Sequence, residues 1–233
     1  MSGRFGSGPV TDRVLVFAGG DRCTPAEVAD LPRDAVIIAA DSGAEHAVAL
    51  GWPVHLLVGD LDSIPSGLVG ELQGSGTMVE RHPEAKDRTD LALALDAAMA
   101  RGAAAVTVVG GHGGRLDHLV ANVALLASPD YASIELDARL GPARLTVVRG
   151  RRTLAGRPGD LVTLLALGGP ALGVSTTGLL FPLQEAVLQF GASVGVSNEM
   201  TAPVAEVSVR SGVVVVVQPG EQGVLAARRG SAR

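Results

Sequence analysis

The chain has one cysteine, Cys23, among 233 residues. No internal disulfide can staple it, and that usage fits a reducing compartment, the cytoplasm. No partner motif surrounds Cys23, so it reads as a small buried or loop thiol rather than a nucleophile. Aromatic side chains are scarce, with four Phe, one Trp and one Tyr. Long apolar runs are absent as well. The mean hydropathy of +0.33 comes from Ala, Val, Leu and Gly spread along the chain, and nothing approaches the roughly 20 consecutive apolar residues of a spanning helix. No membrane partner is expected. Nor is nucleic acid, since the net charge is −5 and the one basic cluster, Arg228-Arg229 with Arg233, is terminal. The opening MSGRFGSGPVTD lacks the apolar core of a signal peptide. Residues 1–12 and 223–233 read as tails.

What the sequence does have is alternation. Val14 to Phe17, Ala35 to Ala40, Leu56 to Val58 and Ala105 to Val109 are continuous apolar runs of strand length. Helical patterns lie between them. The clearest helix spans Thr89 to Arg101, with Thr89 at the N-cap, Asp90 at the positive end of the dipole, apolar residues at helical spacing and Gly102 as terminator. A second helix follows from about Leu116 to Ala127. Fully apolar strands separated by helices predict a parallel sheet covered on both faces. After about Leu140 the texture changes to β-prone segments split by Gly and Pro, with no helix between them: Leu145 to Val148, Asp160 to Leu167, Ala205 to Val209 and Val213 to Val217. The expected fold is therefore an α/β domain over residues 13–139 followed by an antiparallel all-β sandwich over 140–222.

The polar and Gly-rich clusters fall just after the strands, the edge where open α/β sheets bind ligands. GDLDS, Gly59 to Ser63, carries Asp60 and Asp62 at i and i+2. If extended, they point the same way and can share one hard cation of the Mg2+ type; the competing reading is an Asx-type turn with solvated carboxylates. KDRTD, Lys86 to Asp90, sits at a helix entrance, where Asp90 is either a metal ligand or a dipole-complementing surface acid, and Lys86 and Arg88 either meet phosphates or are loop charges. In GGHGGRLDHLVAN, Gly110 to Asn122, a strand empties into a Gly-rich loop and a helix begins, which presents backbone N–H groups to an anion. Walker spacing is absent. Arg115 is placed to clamp phosphate bidentately. Asp117 and His118 stand at the helix entrance, and His112 has no assigned role. In the β half, Ser175, Thr176, Ser197 and Asn198 are short hydrogen-bonding groups at strand ends, and Phe181 is either a stacking platform or a core residue.

In this order the clusters resemble the thiamine pyrophosphokinase family: AGG at Ala18 to Gly20, then ADSGA, GDLDS, KDRTD, GGRLDH with Asn122, TTGLLFPL and SNE. Singly these motifs are modest, and their ordered combination is specific. The resemblance implies an ATP-binding α/β domain, a thiamine-binding β domain and a homodimer with thiamine near the subunit interface. Carried over by position, Asp60, Asp62 and Asp90 are the implied Mg2+ ligands, with Asp117 close by and Arg115 among the catalytic groups. Lys86, Thr89, Arg115, His118 and Ser63 fall on the nucleotide side. Ser175, Thr176, Phe181, Ser197 and Asn198 fall on the thiamine side. The chain departs from the family pattern in reading Val54-His55 before the GD motif and Phe181 where relatives often have Trp or Tyr. The rival readings are diphosphate transfer to another hydroxymethyl heterocycle, such as a pterin alcohol, and a non-catalytic nucleotide-sensing module.

Overall fold

The computed structural model describes residues 12–83 and 87–220. By compactness these fall into two units, residues 12–110 with 133–135, and residues 111–132 with 136–220.

The first unit is a parallel sheet. Strands β1 (Arg13–Ala18), β2 (Val36–Ala40), β3 (Leu56–Gly59), β4 (Met78–Arg81) and β5 (Ala105–Gly110) lie in the order β5-β1-β2-β3-β4, and each neighbouring pair is parallel. Helices α1 (Gly43–Ala49), α2 (Ser66–Gly74) and α3 (Asp90–Ala100) connect them. Alternate residues of the strands face opposite ways. Leu15, Phe17, Ile37, Ala39 and Leu57 join Ala44 and Ala47 of α1 in one core, while α3, with Leu91, Leu95 and Ala98 buried, lies against β1, β2 and β3. Cover on both faces is why these strands read as unbroken apolar runs. Helix α3 begins as its sequence predicts, with the Thr89 hydroxyl accepting the Ala92 N–H at 3.2 Å, and the chain leaves it through Gly102 at φ +80°. Helix α2 and strand β4 carry no such signal in the sequence.

Among its described residues the second unit is antiparallel apart from α4 (Leu116–Leu126) and a short 3-10 turn, Pro129–Tyr131. One of its sheets takes β6 (Glu135–Leu140), β7 (Ala143–Val148), β14 (Val214–Gln218), β9 (Leu161–Ala166) and β12 (Asn198–Glu199) in that order. The other takes β8 (Arg151–Ala155), β13 (Val204–Ser208), β10 (Ala171–Thr177) and β11 (Ala186–Leu188). Side chains from both sheets, including Val162, Leu164, Val214, Leu154, Val174 and Val207, form one core. This is a sandwich. Compactness places the division at Gly110–Gly111, earlier than the change of texture near 140, for two local reasons. Strand β6 pairs antiparallel with β7, and Arg149 donates from Nη2 to the carbonyls of Leu126 and Ser128 at 3.2 and 2.7 Å, fastening the end of α4. Among the described residues no helix is long and apolar enough to cross a membrane.

Candidate functional site

Two strand ends of the first unit carry the acids. Beyond β2 the chain turns at Asp41, whose φ of +46° lies in the left-handed region, and its N–H is tied to the Val58 carbonyl of β3 at 2.8 Å. Beyond β3 come Gly59, Asp60, Leu61, Asp62 and Ser63. Asp60 and Asp62 are not related by the extended geometry their spacing suggests. Leu61 between them is itself left-handed, at φ +65°, and its side chain is buried in the α1-side core. The apolar anchor inward and the left-handed turn still bring the two acids to one place.

Among the described residues, Asp41, Asp60 and Asp62 each offer a carboxylate oxygen, all within 4.8 Å of one another. Gly59 makes room for this. A Cβ there would sit 3.2 Å from both the Asp41 Cβ and Asp90 Oδ1. Asp90 thus stands beside the group, at the start of α3. The Ser63 hydroxyl donates to Asp62 Oδ1 at 2.9 Å. Asp41 is not among the ligands expected from the sequence. Its signal is the same as that of Asp60, an acid directly after a buried parallel strand, but it was masked by the turn-like Asp-Ser-Gly that it opens.

Asp41 is the most deeply placed of these acids, and its Oδ1 is buried with no hydrogen-bond partner. Burial, and after it the neighbouring Asp90 and Asp60 charges, push its carboxyl above the ordinary carboxylate range, partly offset by the Ser42 backbone N–H and the Ser63 hydroxyl. A buried, unpartnered anionic oxygen is costly in water-poor surroundings, and a hard divalent cation removes that cost. The donors are all oxygen and all acidic, the chemistry that suits Mg2+. Asp41, Asp60 and Asp62 fit such an ion, with Asp90 next to them.

A carboxyl whose folded pKa is raised binds its proton more tightly folded than unfolded, so its favourable contribution is complete below the ordinary value and is lost as pH rises through the folded value. In EDTA, Asp41 should therefore destabilise the protein near neutrality. Millimolar Mg2+ should raise the melting temperature there, with the gain vanishing as pH falls below the carboxylate range. Thermal melts across pH, with and without the ion, measure it, and a metal effect equal at pH 4 and pH 8 would rule out these ligands.

Of the remaining first-unit candidates, Thr89 caps α3 as described. Arg88 donates from Nη2 to Asp96 Oδ1 at 2.7 Å, along the flank of that helix. Lys86 lies outside the described residues. At Cys23, burial and then Glu27 push the thiol up to about 12, the opposite of the lowered value that activates a nucleophilic cysteine.

In the second unit, the loop entering α4 turns through Gly111, Gly113 and Gly114, with φ of +75°, +78° and +57°. It is held at one end by Asn122, whose Nδ2 donates to the Gly111 carbonyl at 3.0 Å. Arg115 is the N-cap residue of α4 but makes no capping bond. Its guanidinium forks onto Asp117 instead, with Nε to Oδ1 at 3.1 Å and Nη2 to Oδ2 at 2.5 Å. That hydrogen bond leads the causes that draw the Asp117 carboxyl down to about 2. The pair is exposed and worth little to stability, so the fork is open to any anion that competes better, and a phosphate presents the same bidentate edge. His118 is exposed beside it.

Around the far end of β10, Ser175 accepts the Glu185 N–H at 3.0 Å, and Glu185 pairs with Arg210. Thr176 is buried, and its Oγ1 accepts the Leu183 N–H at 2.9 Å. Ser197 is exposed at φ +57° and donates its N–H to Thr163 Oγ1 at 3.1 Å. Asn198 is buried and bound to the backbone of Phe181, a residue that is 64% exposed.

Comparison with known proteins points one way. Residues 31–137 match the family model described as "Thiamin pyrophosphokinase, catalytic domain", and residues 151–214 match "Thiamin pyrophosphokinase, vitamin B1 binding domain". A thiamine pyrophosphokinase of Bacillus subtilis (strain 168) is 23% identical over 170 residues, covering 69% of this chain and 76% of that one. The crystal structure of a thiamine pyrophosphokinase from Bacillus subtilis superposes with a TM-score of 0.78 at 20% identity, covering 90% of this chain and 99% of that chain. A second, from Geobacillus thermodenitrificans, gives 0.76 at 25% identity, covering 91% and 99%.

Proposed function

The chain belongs to the thiamin pyrophosphokinase family, and from that premise we propose that it transfers diphosphate from Mg-ATP to thiamine, giving thiamine diphosphate and AMP. The observation that carries this reading is the gathering of Asp41, Asp60 and Asp62, with a buried carboxylate oxygen left unpartnered, at the ends of adjacent parallel strands.

In the reaction the hydroxyethyl oxygen of thiamine forms a bond to the β-phosphorus. The bridge from that phosphorus to the α-phosphate breaks, its electron pair stays on AMP, and the hydroxyl proton is released. Mg2+, when bound, neutralises the phosphate oxygens and makes the phosphorus more electrophilic. Asp41, Asp60 and Asp62 would hold the ion, with Asp90 beside them and Ser63 orienting Asp62. Arg115 exchanges the Asp117 carboxylate for a phosphate edge, and Lys86, Thr89 and His118 serve the nucleotide side. No covalent intermediate is required. Alignment and fixed charge supply the catalysis. Phe181 offers its exposed ring to the thiamine heterocycle, with Ser175 and Ser197 at the same end of the sandwich.

We also read the enzyme as a cytoplasmic homodimer. Leu180, Phe190, Val194 and Val196 of the second unit are all exposed, which suits a surface that a second copy covers. One assay tests the activity: purified protein, ATP and Mg2+ with thiamine and pterin alcohols, scored for AMP and diphosphorylated product. AMP formation dependent on thiamine is expected. Product from a pterin alcohol and none from thiamine would overturn the substrate assignment.

A further inference from the structure

Asn198 and Thr176 read from sequence as groups that touch the ligand, yet both are buried, at 3% and 6% exposure, and the side chains of both bind the backbone of one short segment around Phe181. Asn198 Oδ1 accepts the N–H of Phe181 at 3.0 Å and that of Glu199 at 2.8 Å, while Nδ2 donates to the Phe181 carbonyl at 2.8 Å. The amide orientation is dictated by the backbone, because two N–H donors converge on one atom and a carbonyl faces the other. The side chain thereby imitates a strand neighbour. It gives Phe181 both the acceptor and the donor of a ladder pair where β12 is only two residues long.

Further ties flank that contact. The Leu180 N–H reaches the Glu199 carbonyl at 2.8 Å, the Thr176 N–H reaches the Leu183 carbonyl at 3.0 Å, and Thr176 Oγ1 takes the Leu183 N–H. Apart from the neighbouring Glu199 N–H, every backbone group these two side chains bind lies within two residues of Phe181, a residue that is itself left 64% exposed. A stretch fastened this closely while presenting a large apolar ring to solvent gains nothing from that ring in folding. It gains only where the ring's position matters.

We infer that Asn198, with Thr176, is a positioning residue that fixes Phe181 as a rigid stacking platform and does not itself contact the substrate. The inference rests on the reading of Phe181 as the thiamine-facing ring and deepens it.

The test is a double-mutant cycle on the full-length enzyme, Asn198→Ala, Phe181→Ala and both, read as KM for thiamine, KM for ATP and kcat. Amide hydrogen exchange over residues 179–184 is followed in parallel. Each single variant should raise the thiamine KM about tenfold, with the other two parameters within about twofold. The double variant should be no worse than Phe181→Ala, because a residue acting only through the ring has nothing left to position. Exchange at the Phe181 amide should quicken in Asn198→Ala with or without substrate. If Asn198→Ala does not fold, Thr176→Val removes the acceptor for Leu183 without changing shape and runs the same cycle. Multiplicative effects on KM, or unchanged exchange, overturn the positioning role. An unchanged thiamine KM in Phe181→Ala alongside quickened exchange in Asn198→Ala would instead strike down the thiamine-facing reading and leave the clamp as structure only.

Discussion

Asp41→Asn should make the metal-free protein more stable while reducing AMP formation at least a hundredfold. The two effects share one cause. Asp41 holds a buried, unpartnered carboxylate oxygen against the charges of Asp60 and Asp90, and its backbone sits at φ +46°. Asparagine has the same shape, carries no charge and is among the residues best tolerated in the left-handed region. In EDTA near pH 7.5 the replacement should stabilise by about 1 kcal/mol, or about 2–4 °C in melting temperature for a chain of this size. The gap from the unmodified protein should close as pH falls, since a protonated aspartate resembles asparagine. An amide is a poor ligand for a hard cation, and losing one charged ligand from a phosphoryl-transfer centre costs on the order of 10^2–10^3 in rate. Asp62→Asn should lose as much activity with little gain in stability, because Asp62 is exposed and its Oδ1 already accepts the Ser63 hydroxyl. Stability gained by removing a functional charge is the expected trade at such a site. Melting curves in EDTA and an AMP-release assay measure both halves. An Asp41→Asn protein that melts lower in EDTA and turns over normally would remove Asp41 from the centre.

The division between what was legible in the sequence and what was not follows the range of the forces involved. Strands β1, β2, β3 and β5 are buried on both faces, so their apolar runs are unbroken. Helix α3 announces itself through Thr89 and Gly102, whose roles are local. Helix α2 is not legible because SGLVGELQG carries three glycines and a weak apolar face. Strand β4 is an edge strand with Met78 and Glu80 exposed, so it lacks the buried signature of its neighbours. At the candidate centre, the spacing of Asp60 and Asp62 predicts a shared direction through an extended chain, and the structure reaches it through a left-handed Leu61 instead. Leu61 adopts a conformation disfavoured for a leucine, and its burial among the α1-side residues offsets that cost. No local rule foretells it. Asp41 carries a weak signal in the sequence, since Asp-Ser-Gly is the ordinary grammar of a turn. Asn198 shows the opposite case. A polar residue at a strand end looks like a ligand contact until its burial and partners are known.

Gly43→Ala decides between local propensity and packing, because the two predict opposite signs. Gly43 is the first residue of α1, and alanine is the better helix former by up to about 1 kcal/mol, so on propensity alone the change stabilises. Its surroundings say otherwise. A Cβ on Gly43 would lie 2.1 Å from the Phe17 carbonyl oxygen, 2.5 Å from the Phe17 carbonyl carbon and 2.8 Å from the Ala18 nitrogen. Those atoms belong to β1, which is hydrogen-bonded on both sides to β2 and β5, so neither side of the clash can yield without moving the sheet or displacing α1. Displacing α1 shifts Ser42 and Asp41 directly before it, and with them the acidic cluster. A loss of more than about 3 kcal/mol is expected, enough to leave much of the protein unfolded at 37 °C if its total stability is ordinary. Gly19→Ala is the control. Its Cβ would clash with the Ser42 hydroxyl alone, at 2.3 Å, while Ser42 Cβ and the Gly43 nitrogen lie at 3.5 and 3.9 Å. That hydroxyl can rotate away, so the cost should stay at about 1 kcal/mol and be relieved by adding Ser42→Ala. Denaturant unfolding of the variants gives the comparison. A Gly43→Ala protein as stable as its parent would mean that α1 does not press on β1 as closely as described, and the placement of Asp41 over the strand ends would lose its support. No side-chain truncation rescues Gly43→Ala, since what it strikes is backbone.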